Sequence, residues 1–260
     1  MIRLLKIHLQ GMKIAFFTLT AYRFDFFVGL LVVLAGVLLS PLFIILIYAN
    51  GAEIGNYTIY DIFLIQGIYL TASGFGSIFF FNIVWSTTYL VREGSLDIML
   101  LKPVSLLSTL IATSYNNRGI ANVLGGIALF CYALSFEPSP TAAQWTLFLL
   151  LFITALAVLF AISVILAGLG IVWVGNSRLF DIYGSISKFA SYPMTIFKKV
   201  LRTMLTFMVP VAMLGFLPAS VLLGESEQYL YIAVLCSIAF VAVALFIWNA
   251  MISRYTSTGG

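Results

Sequence analysis

Val91-Arg92-Glu93-Gly94-Ser95-Leu96-Asp97-Ile98-Met99-Leu100-Leu101-Lys102-Pro103 is the longest well-charged insertion between two long apolar runs of the chain. Gly94 is suited to break the incoming helix, Ser95 to cap a new one, and Asp97 to sit at its positive end, while Pro103 ends or redirects it. Leu96, Met99 and Leu100 follow an i, i+3, i+4 spacing and share one helical face. A short amphipathic helix of this kind at a membrane edge is either a docking surface for another protein or a segment resting on lipid, and the spacing leaves both open.

Around this insertion the chain reads as membrane. Its 260 residues are 62% hydrophobic and 8% charged, with a mean hydropathy of +1.12, whereas a soluble domain carries about a quarter charged residues. At about 20 residues per spanning helix the length allows about six spans with short loops. No room remains for a sizeable soluble domain, so an energy-coupling domain would be another polypeptide. Cys131 and Cys236 lie in apolar runs without metal-ligand spacing and read as packing residues.

Residues 1–22 form a predicted interfacial amphipathic helix. Arg3, Lys6 and Lys13 fall on one face, with Ile2, Leu5, Leu9, Met12 and Phe16 largely on the other. The charges interrupt any signal-peptide core, and no cleavage is expected. Residues 23–260 then make one six-span domain, with spans expected at about 26–49, 59–89, from 106–118 to 136, 143–174, 200–223 and 229–252. The second is long, carries Ala72 and Gly76 at a spacing suited to close helix contact, and ends in Phe79, Phe80, Phe81, Trp85 and Tyr89. Phe79 and Trp85, with Asn116 and Asn117 near the start of the third span, are candidates to line a substrate path; an interfacial belt is the plainer reading of the aromatics. Pro210, Gly215 and Pro218 argue against a straight fifth helix.

With six spans, all 13 Lys and Arg residues fall on one side, and Glu53, Glu137, Glu225 and Glu227 on the other. The positive-inside rule then places both termini and the loop at about 90–104 in the cytoplasm.

No phosphate-binding Gly-x-x-x-x-Gly-Lys-Ser/Thr loop is present, so the chain is not expected to hydrolyse ATP. His8 is the only histidine, and no metal-ligand cluster or catalytic triad can be assembled. No metal, bound cofactor or nucleic-acid partner is expected. Asp61, the one carboxylate that could be membrane-embedded, lies near the outer end of span two.

Arg92-Glu93-Gly94-Ser95-Leu96-Asp97 followed by Leu100-Leu101-Lys102-Pro103-Val104 resembles the basic-x-Gly-x-Leu-Asp and Leu-Leu-Arg/Lys-Pro-Val segment of type-2 ABC transporter permeases. Tyr192-Pro193, Leu201-Arg202, Val209-Pro210, Leu217-Pro218-Ala219 and the terminal Arg254-Tyr255-Thr256-Ser257-Thr258-Gly259 resemble the same family in the same order. The resemblance implies an all-α permease subunit of an ATP-driven exporter in a bacterial inner membrane. A separate ATPase dimer would hold ATP and Mg, and a second permease, identical or homologous, would complete the path for an apolar or amphiphilic substrate. It also implies a coupling role for Arg92, Glu93, Gly94, Leu96, Asp97, Met99, Leu100, Lys102 and Pro103. Glu93 and Asp97 would offer charged contacts, Leu96, Met99 and Leu100 would fill a groove on the ATPase, and Pro103 would stiffen the joint. A re-entrant outer half of the fifth segment is a further family expectation. The alternative is an ATP-independent channel or an ion-gradient-driven carrier whose charged loop is only a solvated connector.

Overall fold

The computed structural model describes residues 2–21, 23–137, 139–173, 178–225 and 229–256. Pro138, Gly175, Asn176, Glu227, the Ser257-Thr258-Gly259 end of the terminal motif, and the side chains of Arg3, Ile2, Leu5, Arg118 and Arg178 lie outside that description. Every regular element among the described residues is helical. Hydrocarbon imposes this, because a helix satisfies its backbone hydrogen bonds within one segment.

Helix α1 (Ile2–Ala21) is followed by α2 (Arg23–Ala49), which turns at Gly51 and Gly55, both with positive φ. Helix α3 (Ile59–Gly76) opens on a capping box in which the Asp61 amide donates to Thr58 Oγ1 and the Thr58 amide donates to Asp61 Oδ2 at 2.7 Å. Asp61 is thus the capping-box partner of Thr58. A π-helical turn, Ser77–Phe81, joins α3 to α4 (Asn82–Arg92). Beyond the insertion come α5 (Leu96–Leu100), α6 (Leu106–Thr113), α7 (Ile120–Leu134) and α8 (Ala142–Val172), the last opened by a second capping box of Thr141 and Gln144. Helices α9 (Arg178–Lys188), α10 (Lys199–Thr203) and α11 (Phe216–Leu222) are linked by irregular turns, and α12 (Leu230–Ser253) closes the fold.

Among the described residues four stretches are long and apolar enough to cross a membrane: α2, α3 with α4, α8 and α12. The predicted third span is instead broken into α6 and α7 around a 3-10 turn, Asn117–Gly119. That break lies beside the π-helical turn, for the Asn116 amide donates to the Ile78 carbonyl at 3.0 Å.

The most extensive helix contact is between α3 and α7. A Cβ on Gly67 would stand 2.6 Å from the Phe130 nitrogen, and one on Gly126 would stand 2.5 Å from the Thr71 nitrogen. Gly67, Gly74 and Gly126 therefore set this approach, while Gly76 makes its close contact with Leu159 of α8. Cys131 is exposed on α7 rather than packed.

Two ends can be told apart. One carries the insertion and receives the ends of α4, α8 and α12; the other carries the α2–α3 turn and the starts of α8 and α12. The structure corrects the expected charge segregation. The stretch after α9 does not stay at the insertion end: the Ala190 carbonyl packs on Gly215 beside Ile65 of α3, and Ile196 packs near Gly55. Lys199 and Arg202 consequently share a cavity with Tyr229, just before α12, at the end opposite the insertion. Residues 210–222 then run buried without a break. Irregular backbone is tolerated at such depth only when protein surrounds it.

At that opposite end Glu137 meets Asp61. Burial first, then the Asp61 charge and a hydrogen bond with it, hold the Glu137 carboxyl above its ordinary range. Because folding raises this pKa, the stabilisation is complete below the unfolded value and is lost as pH rises through the folded one. Glu137→Gln, neutral at every pH, should raise the thermal midpoint of the purified chain at pH 7. The gain should vanish once the wild-type carboxyl is protonated in both states, which melts at neutral and acid pH will check.

Candidate coupling surface

The insertion begins where α4 stops. Gly94 adopts φ +66°, its amide donates to the Val91 carbonyl at 3.2 Å and the Ser95 amide to the Leu90 carbonyl at 3.0 Å, a Schellman ending. Ser95 does not cap α5 with its side chain: its hydroxyl points back toward the Leu90 carbonyl. The left-handed φ costs an L-residue about 1–2 kcal/mol. Gly94→Ala should therefore loosen the joint between α4 and α5, seen as faster amide exchange at Ser95 and Leu96 with the exchange of α3 unchanged.

Helix α5 has the expected apolar face, and that face turns inward. Leu96 is 1% exposed, in a cluster with Val91, Leu106, Leu110, Ile171 and Trp248; Met99 and Tyr255 pack against its edge. Ile98 and Leu101, spaced i, i+3, project the other way and are 65% and 86% exposed, with Leu100 at 40% between the faces. Arg92, Glu93, Lys102 and Pro103 are exposed around them. Lys102 Nζ lies 3.0 Å from the Met99 sulfur, folding over the end of the helix. Asp97 lies near Tyr255: burial and then the Asp97 charge hold the Tyr255 phenol above its ordinary value. The arrangement is a short helix braced from behind by the end of α12, with an apolar pair rimmed by charge on its free side.

The first helix reaches this end by a different route. Gly11 lies so close to α6 that a Cβ there would overlap the Ala112 carbonyl oxygen. His8 Nδ1 is 3.2 Å from the Tyr115 hydroxyl, and Asn117 Nδ2 donates to the Ala15 carbonyl at 2.7 Å. His8 and Asn117 are docking residues of α1. Lys6 and Lys13 are exposed, Lys13 over the ring of Phe17 at 5.7 Å, while Leu9, Met12 and Phe16 are exposed as well.

Three of the proposed path residues come together at the paired breaks. Phe79 sits on the π-helical turn edge-on to Tyr115 at 5.7 Å, next to the backbone of Asn116 and the start of the Asn117–Gly119 turn. Trp85 is separate, farther along α4 and largely exposed. The breaks themselves escape a sequence reading, since Ser77–Phe81 is as apolar as its flanks. The contact of Trp248 and Tyr255 with α5 escapes it too, because nothing local to Leu96 announces a partner from the far end of the chain.

Comparison with known families matches residues 31–259 to one described as ABC-2 family transporter protein. No curated protein and no solved structure matches the chain.

Proposed function

Because the chain belongs to the ABC-2 transporter family, and so is a membrane-spanning permease subunit rather than an ATPase, we propose that it works in an ATP-driven exporter. The observation that carries this reading is α5, which offers Ile98 and Leu101 outward at one end of the fold while its other face is locked to α12. A separate ATPase dimer docks there, holds ATP and Mg, and pushes on α5 when it closes. The brace passes that displacement to α4 and α12 together. A second permease, identical or homologous, completes the path for an apolar or amphiphilic substrate in a bacterial inner membrane.

Charge supports the orientation after the correction above. Lys6, Lys13, Arg23, Arg92, Lys102 and Arg254 belong to the α5 end; Glu53, Asp61, Glu137 and Glu225 belong to the other, where Lys199 and Arg202 are the exceptions. The α5 end and both termini are cytoplasmic. The chain crosses six times, with α9 and the turn after it as the fifth passage and 199–223 as a re-entrant segment at the outer end.

The test is purification of the tagged chain from its host in mild detergent, with co-purifying proteins identified and vanadate-sensitive ATP hydrolysis measured. Recovery of an ATPase bearing a phosphate-binding loop, together with ATP-dependent transport, is the expected result. Transport that runs on an ion gradient without such a partner overturns the reading.

A further inference from the structure

The outer end holds a cavity of about 360 Å³ between the irregular fifth segment and the start of α12. Its rim carries Lys199 and Arg202, Thr206 lies 8% exposed in its wall, and Phe207, Phe216 and Tyr229 make it aromatic. Phe207 and Tyr229 meet edge to face at 6.4 Å, bridging the two elements that enclose the space. The volume falls in the range of small-molecule sites, about 300–1,000 Å³, and so does the chemistry: an apolar lining with a few convergent polar groups.

Two cations line its rim. They oppose the bias that keeps Lys and Arg on the cytoplasmic side. They also stand one helical turn apart on α10, at i and i+3, which aims both at the same space. A guanidinium and an ammonium beside a hydroxyl recognise a phosphate or carboxylate, the guanidinium by paired N–H donation and the ammonium as a point charge. The aromatic wall is wasted on a bare anion. It matches a hydrocarbon chain attached to one.

We propose that this cavity is a binding site for an acidic amphiphile, with the anionic head held by Lys199, Arg202 and Thr206 and the apolar part laid along Phe207 and Phe216. The outer placement rests on the orientation proposed above, but the site does not depend on the ATPase: it lies at the far end of the fold from α5 and binding needs no nucleotide.

The chain reconstituted in phosphatidylcholine nanodiscs is titrated with a photo-crosslinkable phosphatidylglycerol. Labelled peptides are located by mass spectrometry. The expected label falls on the stretch around Thr206 and Phe207, and labelling weakens at least about tenfold in a Lys199→Gln, Arg202→Gln double variant, as loss of two charged hydrogen-bond donors implies. The exchange variant Lys199→Arg, Arg202→Lys keeps the charge and should keep the label, which separates loss of recognition from loss of fold. Inorganic phosphate should not compete at concentrations where unlabelled phosphatidylglycerol does. Equal labelling by a zwitterionic phosphatidylcholine probe, labelling unchanged in the Gln variant, or displacement by inorganic phosphate as readily as by the lipid overturns the proposal.

Discussion

Gly126→Val should abolish the folded chain. The new Cβ would stand 2.5 Å from the Thr71 nitrogen, 2.6 Å from its hydroxyl oxygen and 2.9 Å from the Gly67 carbonyl oxygen. Two of those atoms belong to the backbone of α3, which cannot swing aside as a long side chain would. Relief requires the helices to part, and this contact seats α7 against the helix that runs through the centre of the fold. Overpacking a core commonly costs about 1–3 kcal/mol. A clash against backbone along a whole helix pair should exceed that and leave no monodisperse species on size exclusion in detergent. Gly29→Val is the control: a Cβ there meets nothing within 4 Å, so the same substitution on α2 should elute as wild type. Normal behaviour of Gly126→Val would show that α3 and α7 do not meet through their glycines.

The largest functional effect is expected from Ile98→Asp with Leu101→Asp. Both side chains are exposed, so the chain itself should fold and reach the membrane in normal yield. If α5 is the seat of the ATPase, the pair removes two central apolar contacts, each worth about 2 kcal/mol or more when it is a hot spot. Association should then weaken about a hundredfold or more, and transport should fall with it. Leu96→Asp makes the informative contrast. That carboxylate would be buried among Val91, Leu106 and Trp248, so its expected defect is loss of the folded chain rather than of the partner. Wild-type recovery of the ATPase with the Ile98, Leu101 variant would refute the seat.

That contrast also shows what a linear reading can and cannot supply. The i, i+3, i+4 spacing of Leu96, Met99 and Leu100 predicts a shared face without saying whether it looks into the protein or away. Here the direction is set by Trp248 and Tyr255, which come from the other end of the sequence. Gly94 was legible because only backbone chemistry is involved, and the long helices α2, α8 and α12 were legible because an uninterrupted apolar run has one use. The run from Val200 to Leu223 was expected to be irregular on account of its two prolines and glycine, and it is. Its place in the fold was not legible. Arg178, Lys188, Lys198 and Lys199 read as one polar loop, and charge cannot distinguish a loop that stays at an end from a passage whose cations reappear at the other. Glycine pairing fails in the same way: α3 carries several glycines, and only the packed partner reveals that Gly67 and Gly74 meet α7 while Gly76 meets α8.

The brace behind α5 also has a consequence for how the protein is made. Val91, Leu96 and Leu106 leave the ribosome early, whereas Trp248 and Tyr255, which close their cluster, are synthesised only after α8 and the irregular fifth segment. Until then the apolar back of α5 is covered only by α4, α6 and α8, and the part that Trp248 and Tyr255 close stays open. If α5 is the seat of the ATPase, a nascent chain cannot present the finished surface before its last membrane helix is in place. Assembly with that partner would then be timed by translation itself, and a chain stalled short of α12 would be left unable to recruit it.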